Sequence, residues 1–302
     1  MKKKYIYYPG CSLRSTGIAY DESIRAVFEK LNIALEELED WNCCGATSYF
    51  SVDEGDAFAL ASRNLALAEQ QMGNEDFDIV APCSACYLVL LKTKKILEEN
   101  KDLYAQINLK LQKVNLNYEG KVKVRHPIDV LVNDFGLDNL AKQVKFPLKG
   151  FKVASYYGCQ IVRPYSMFDD MYNPTTLDRI VKALGADPVD WPLKTRCCGG
   201  SLTGTIQEAG LRMNRFLLQK AQEEGANVII TCCPLCQHNL ECYQERINKQ
   251  FREEINIPVI YFTQLIGIAL GLSSKELGLN RLFKKPSLKR FAVQKGEVAN
   301  AW

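Results

Sequence analysis

Ten of the twelve cysteines in this 302-residue chain fall into two matching sets. The first half carries Cys11, then Cys43-Cys44-Gly45, then Cys83-Ser84-Ala85-Cys86. The second half carries Cys159, then Cys197-Cys198-Gly199, then Cys233-Pro234-Leu235-Cys236. Each set is one cysteine, an adjacent pair followed by glycine, and a C-x-x-C. Matching positions lie about 150 residues apart, the signature of an internal duplication. Tyr7-Tyr8-Pro9-Gly10-Cys11 matches Tyr156-Tyr157-Gly158-Cys159, and residues 122–137 resemble 257–272. Cys232 and Cys242 fall outside the pattern and read as spare buried thiols.

Short β-rich runs at 4–8, 79–81, 153–157 and 228–231 each end just before a cysteine. Helical periodicity covers 57–72 and its partner 210–224. Helices are also expected to begin at each C-x-x-C, over 84–97 and 234–248. This alternation predicts an α/β fold: two pseudo-symmetric repeats, each a small, mostly parallel sheet with flanking helices. The expected division is a first repeat with a helical insert at 1–146, a second repeat at 147–272, and a basic tail at 273–302. The insert is the polar periodic stretch 101–118. The tail is read either as a solvated end or as an arm that docks a partner.

Composition narrows the chemistry. A hydrophobic share of 47% and a charged share of 24% describe a soluble globular chain. A net charge of +3 gives no bulk-charge reason for nucleic-acid binding. The N-terminus lacks the apolar run of a signal peptide, and no stretch is long enough to span a membrane. The expected location is cytoplasmic, where clustered thiols serve as metal or redox groups rather than disulfides.

Thiolates bind zinc, copper(I) and iron–sulfur clusters. A structural zinc or an ordinary cubane takes four ligands, whereas each half here offers five. Two adjacent thiolates on one metal are cramped, but two on neighbouring irons are not. Paired disulfide sets and structural zincs are therefore weaker readings than iron–sulfur, and the spacing alone does not fix a cluster type.

The lone cysteine is followed after 31 or 37 residues by the adjacent pair, and the pair after 38 or 34 by the C-x-x-C. This doubled pattern resembles the CCG domains of the heterodisulfide reductase B-subunit family, over nearly the whole chain. The resemblance implies two non-cubane [4Fe-4S] clusters that reductively cleave a disulfide. The first cluster would use Cys11, Cys43, Cys44, Cys83 and Cys86, and the second Cys159, Cys197, Cys198, Cys233 and Cys236. The substrate would be a disulfide of the coenzyme M–coenzyme B type or another low-molecular-weight disulfide, and the setting anaerobic metabolism such as methanogenesis. The implied partners are a ferredoxin-type iron–sulfur subunit and a flavoprotein subunit that bifurcates electrons. This chain carries no G-x-G-x-x-G after a strand, so no flavin or NAD is expected in it.

Arg14, Arg163 and Arg196 lie close to cysteines and are candidates for holding an anionic substrate. His238 is expected to bond a cluster sulfur or backbone, and His126 to sit at a strand-to-helix turn in a structural role. The alternative function is a CCG-domain electron-transfer subunit linking a flavoprotein dehydrogenase to a quinone or other acceptor.

Overall fold

The computed structural model describes residues 4–46, 49–73 and 78–286. Two four-stranded sheets dominate it. The first contains β1 (Lys4–Tyr7), β2 (Ala34–Glu37), β3 (Ile79–Val80) and β4 (Val124–Arg125) in the order β2-β1-β3-β4. The second contains β5 (Lys152–Tyr156), β6 (Asp187–Val189), β7 (Val228–Thr231) and β8 (Val259–Tyr261) in the order β6-β5-β7-β8. Every strand pairing is parallel, and the two sheets have the same topology. The fold is therefore α/β, with the repeat visible in both halves.

The central strands are apolar because helices cover both faces. All four residues of β7, Val228-Ile229-Ile230-Thr231, are buried, as parallel strands between two helical layers require. Helices connect the strands where the periodicity places them. Glu54–Met72 starts at Asp53, whose side chain accepts from Asp56 N, and stops at Gly73 at φ +61°. Ser84–Glu99 follows the first C-x-x-C as one helix. The second-half counterpart is broken at Tyr243 into Pro234–Cys242 and Gln244–Phe251. Helix Lys101–Gln112, expected as an insert, lies between Ser84–Glu99 and β4, the place that Gln244–Phe251 holds before β8.

The halves are interleaved. Helix Ile18–Lys30, after β1, packs against Phe262–Leu270, after β8. In the related position, Thr176–Ala183, after β5, packs against Leu137–Gln143, which ends the helical run after β4. Each half thus lends a helix to the other; the larger of two apolar clusters runs from Tyr5 to Leu282 through both, and a second, around Tyr156, Trp191 and Leu240, lies within the second half. The segment after Leu272 contributes to the larger cluster: Leu277, Leu279 and Leu282 are buried, and Arg281 pairs with Glu22 at 2.7 Å. Residues 287–302 of the expected tail lie outside the described residues.

Candidate functional site: two sets of five thiols

All ten motif cysteines follow the carboxyl ends of strands. Cys11 follows β1, Cys43 and Cys44 follow β2, and Cys83 follows β3; β5, β6 and β7 deliver the second set in the same order. The chain departs from β1 to one side and returns on the other, so the carboxyl ends of β1 and β3 flank a topological switch point, the usual ligand crevice of such sheets.

The thiols form one continuous row. Cys11 and Cys43 lie 4.0 Å apart, and Cys43 bonds Cys44. Cys44 reaches Cys86 at 3.3 Å, and Cys86 bonds Cys83. Cys83 then meets Cys233 of the other half. From there the order reverses: Cys233 to Cys236, Cys236 to Cys198 at 3.5 Å, Cys198 to Cys197, and Cys197 to Cys159. The row is a palindrome centred on the Cys83–Cys233 contact. Its middle is buried, whereas Cys11, Cys43 and Cys197 are exposed and Cys159 is half-buried. Each set therefore has a buried inner side and an open edge.

The local backbone explains the convergence. Gly10 and Gly158 hold φ +69° and +68°, and a Cβ on them would lie 2.9 Å from Cys86 Sγ and 3.1 Å from Cys236 Sγ. Glycine lets the strand end pass directly over the second thiol of each C-x-x-C. Gly45 and Gly199 turn the chain after each adjacent pair, at φ +78° and +90°, and their N–H groups donate to Cys43 Sγ and Cys197 Sγ at 3.5 and 3.3 Å. Cys83 and Cys233 stand at helix N-termini, where the macrodipole favours thiolate.

Two tyrosines lock the loops. Tyr8 donates its hydroxyl to Asn42 O and Tyr156 donates to Arg196 O, each at 2.7 Å. Each acceptor immediately precedes a cysteine pair. Burial first, and then the neighbouring thiolates, push both phenols far above their usual pKa, so they remain donors. These roles align Tyr8 with Tyr156 and Pro9 with Tyr157, which corrects the pairing of Tyr7-Tyr8 with Tyr156-Tyr157 suggested by the motif alone. The signal was countable: both tyrosines stand three residues before the first cysteine of their set.

The remaining candidates separate. Arg14 is committed to two carboxylates, Asp21 at 3.4 Å and Glu37. Arg163 instead donates to Thr195 O, two residues before Cys197, and its charge favours the Cys197 thiolate. Arg196 is exposed beside Cys197. His126 is a buried cap: Nδ1 accepts from Ile128 N at 3.2 Å and Nε2 bonds Pro82 O at 2.9 Å. His238 meets Cys242 Sγ at 3.3 Å rather than a motif thiol. Cys232 is fully buried against Tyr157 O and Ser84 Oγ, each 3.7 Å away, and burial raises its pKa. Sequence reasoning missed Asn239, which donates to Cys198 Sγ at 3.4 Å.

The donor set suits iron–sulfur chemistry. Ten soft sulfurs converge, and all are free thiols. Among the described residues, no three or more His, Cys, Asp or Glu side chains are grouped as they would be around a single metal ion. Five donors per half, spread along a row, match a multi-iron group better than one zinc.

Comparison with known proteins agrees with this architecture. The cysteine-rich domain CCG matches twice, at residues 5–91 and 153–241. The 8-methylmenaquinol:fumarate reductase membrane anchor subunit of Wolinella succinogenes is 38% identical over 283 residues, 93% of this chain and 96% of that one. A heterodisulfide reductase B-subunit-like protein of Archaeoglobus profundus is 31% identical, covering 91% of this chain and 93% of the relative. The ferredoxin:CoB-CoM heterodisulfide reductase B subunit of Methanosarcina mazei is 29% identical, over 92% and 93%. A crystal structure of a hypothetical protein from Helicobacter pylori superposes with a TM-score of 0.77 at 19% identity. That likeness shows the fold alone; it covers 94% of this chain but only 52% of the other.

Proposed function

Because the chain belongs to the CCG cysteine-rich family that includes the B subunit of heterodisulfide reductase, with the domain present twice, we propose that it is the disulfide-cleaving iron–sulfur subunit of a larger oxidoreductase. The observation that carries this reading is the palindromic row of thiols meeting at Cys83 and Cys233. Cys11, Cys43, Cys44, Cys83 and Cys86 would hold one [4Fe-4S] centre of the non-cubane type. Cys159, Cys197, Cys198, Cys233 and Cys236 would hold the other. When bound, such centres would each supply one electron to a disulfide, which with two protons from water becomes two thiols.

The chain's own residues supply position. The contact between the two C-x-x-C motifs keeps the sets close enough to address one S–S bond together. The exposed thiols Cys11, Cys43 and Cys197 put the reacting edge where a small disulfide can reach it. Arg163 and Arg196 make the second half the natural side for an anionic substrate group. The electrons would come from a ferredoxin-type iron–sulfur subunit, itself fed by a flavoprotein subunit. Among the described residues, no helix is long and apolar enough to cross a membrane. The proposed compartment is the cytoplasm, where clustered thiols stay reduced.

The Wolinella relative favours a second reading, in which the same centres pass electrons between a flavoprotein and a quinone. One experiment separates the two. The anaerobically purified chain, reduced with dithionite and freed of excess reductant, is mixed with bis(2-sulfoethyl) disulfide or with a water-soluble menaquinone analogue. Re-oxidation by the disulfide, with two thiols released per disulfide consumed, supports the proposal. Re-oxidation by the quinone alone overturns it in favour of the second reading.

A further inference from the structure

The two thiol sets are related by sequence and topology, but their surroundings differ in two independent ways. The first is charge. In the first half, Arg14 and Arg25 face Asp21 and Glu37, and all four join in one set of ion pairs. Two cations against two carboxylates leave no net charge. In the second half, Arg163 occupies the place of Arg14, four residues after the lone cysteine instead of three. Its guanidinium donates to the Thr195 carbonyl, its backbone N–H bonds Cys159 O at 3.1 Å, and among the described residues no carboxylate pairs with it. A full positive charge thus sits between the segments that carry Cys159 and Cys197.

The second difference is a hydrogen bond. Asn239 lies three residues after Cys236, on the helix that begins at Cys233. Its amide donates to Cys198 Sγ at 3.4 Å and to Gly200 O at 2.8 Å, while its oxygen accepts from Thr203 Oγ1 at 3.0 Å. All its bonds are satisfied, so its orientation is fixed. The matching residue, three after Cys86, is Val89, which has no donor and is buried in the apolar core.

We infer that the two redox centres are unequal, and that Arg163 and Asn239 make the centre in the second half the more readily reduced. This rests on the proposal that each half holds an iron–sulfur centre. Reduction adds negative charge to a centre. A nearby cation and a donor to a ligating sulfur both stabilise that charge and raise the reduction potential. Both groups act on the second set, and neither has a working equivalent at the first. Arg163 and Asn239 are positioning residues: they bear on the centre through charge and through a thiol. An electron entering from a donor would rest at the second centre first.

The test is a dithionite potentiometric titration of the anaerobic chain followed by EPR, after iron has been measured. The wild type should show two separate midpoints. Arg163→Gln and Asn239→Val should each lower the higher midpoint and leave the lower one in place, narrowing the gap, whereas Arg163→Lys should stay near the wild type. Two coincident midpoints in the wild type would overturn the inference. So would unchanged midpoints in both the Gln and Val variants with iron retained. If Arg163→Gln loses iron, Asn239→Val and Arg163→Lys decide: a Lys variant that behaves like Gln makes Arg163 a mere clamp and counts against a charge effect. Absence of iron from the wild type would instead defeat the proposal of iron–sulfur centres, so the two failures are distinguishable.

Discussion

Cys83 and Cys233, equivalent residues of the two repeats, face each other as side-chain partners where the halves meet. The contact follows from the interleaved fold, because each half's crossover helix packs on the other half and draws the two C-x-x-C helix starts together. Gly17, whose Cβ position lies 3.1 Å from Pro234 Cβ, lets the first-half loop close over the second motif. Two sites that a tandem repeat would have left apart are thereby joined into one.

The register of the second C-x-x-C makes a sharp prediction, because Cys232 stands directly before Cys233. Cys233→Ala should remove about half of the bound iron, since one of two centres loses a ligand. Cys232→Ala should leave iron content unchanged, because its thiol faces Tyr157 O and Ser84. Iron analysis of the two variants checks this; the reverse pattern would shift the ligand assignment by one residue.

Gly10→Ala and Gly158→Ala should each disable one set. The left-handed backbone costs a side chain roughly 1–2 kcal/mol. The added methyl would also press on Cys86 Sγ or Cys236 Sγ at 2.9 or 3.1 Å. Lower thermal stability together with loss of one centre's iron is expected, and more severely for Gly10.

Burial lowers the pKa of His126 to about 4 and keeps it neutral at pH 7. The unfolded chain binds its proton more readily, near pH 6.5, so stability is full above that pH and falls as pH drops towards 4. Between pH 7 and 5 the loss is about 2 kcal/mol from this group. Denaturant unfolding of wild type and His126→Gln across this range should show a flatter profile for the variant by that amount.

Leu277 is fully buried against Gly267, in the segment that follows the last helix of the second repeat. Leu277→Ala should destabilise the chain by about 2–5 kcal/mol, a core truncation rather than a change in a tail. Calorimetry or urea unfolding measures it.

Much of the fold and of the site is legible in the order of residues alone. The strands that end at cysteines, the helices at 57–72 and 84–97 and the doubling all follow from local patterns: β-branched runs, helical spacing and cysteine order. Local patterns mark only β1, β3, β5 and β7; β2, β4, β6 and β8, two to four residues each, are too short to stand out, although the match of 122–137 to 257–272 falls on two of them. What the sequence hides is long-range. Nothing local tells helix Ile18–Lys30 to pack on Phe262–Leu270, and hence nothing tells Cys83 to meet Cys233. Arg14 and Arg163 look alike in sequence; only the fold brings Asp21 and Glu37 to Arg14 and a carbonyl to Arg163. The break at Tyr243 divides a helix that the periodicity runs through. The apolar residues 277, 279 and 282, scattered among charges, read as a tail until the core is seen to include them.

The central claim is that each five-thiol set holds an iron–sulfur centre, and the most direct measurement is iron and acid-labile sulfide per chain after strictly anaerobic purification. Two four-iron centres predict about eight irons with comparable sulfide, falling to about four when Cys83→Ala or Cys233→Ala removes a ligand from one set. Two zincs per chain and no labile sulfide would contradict the account.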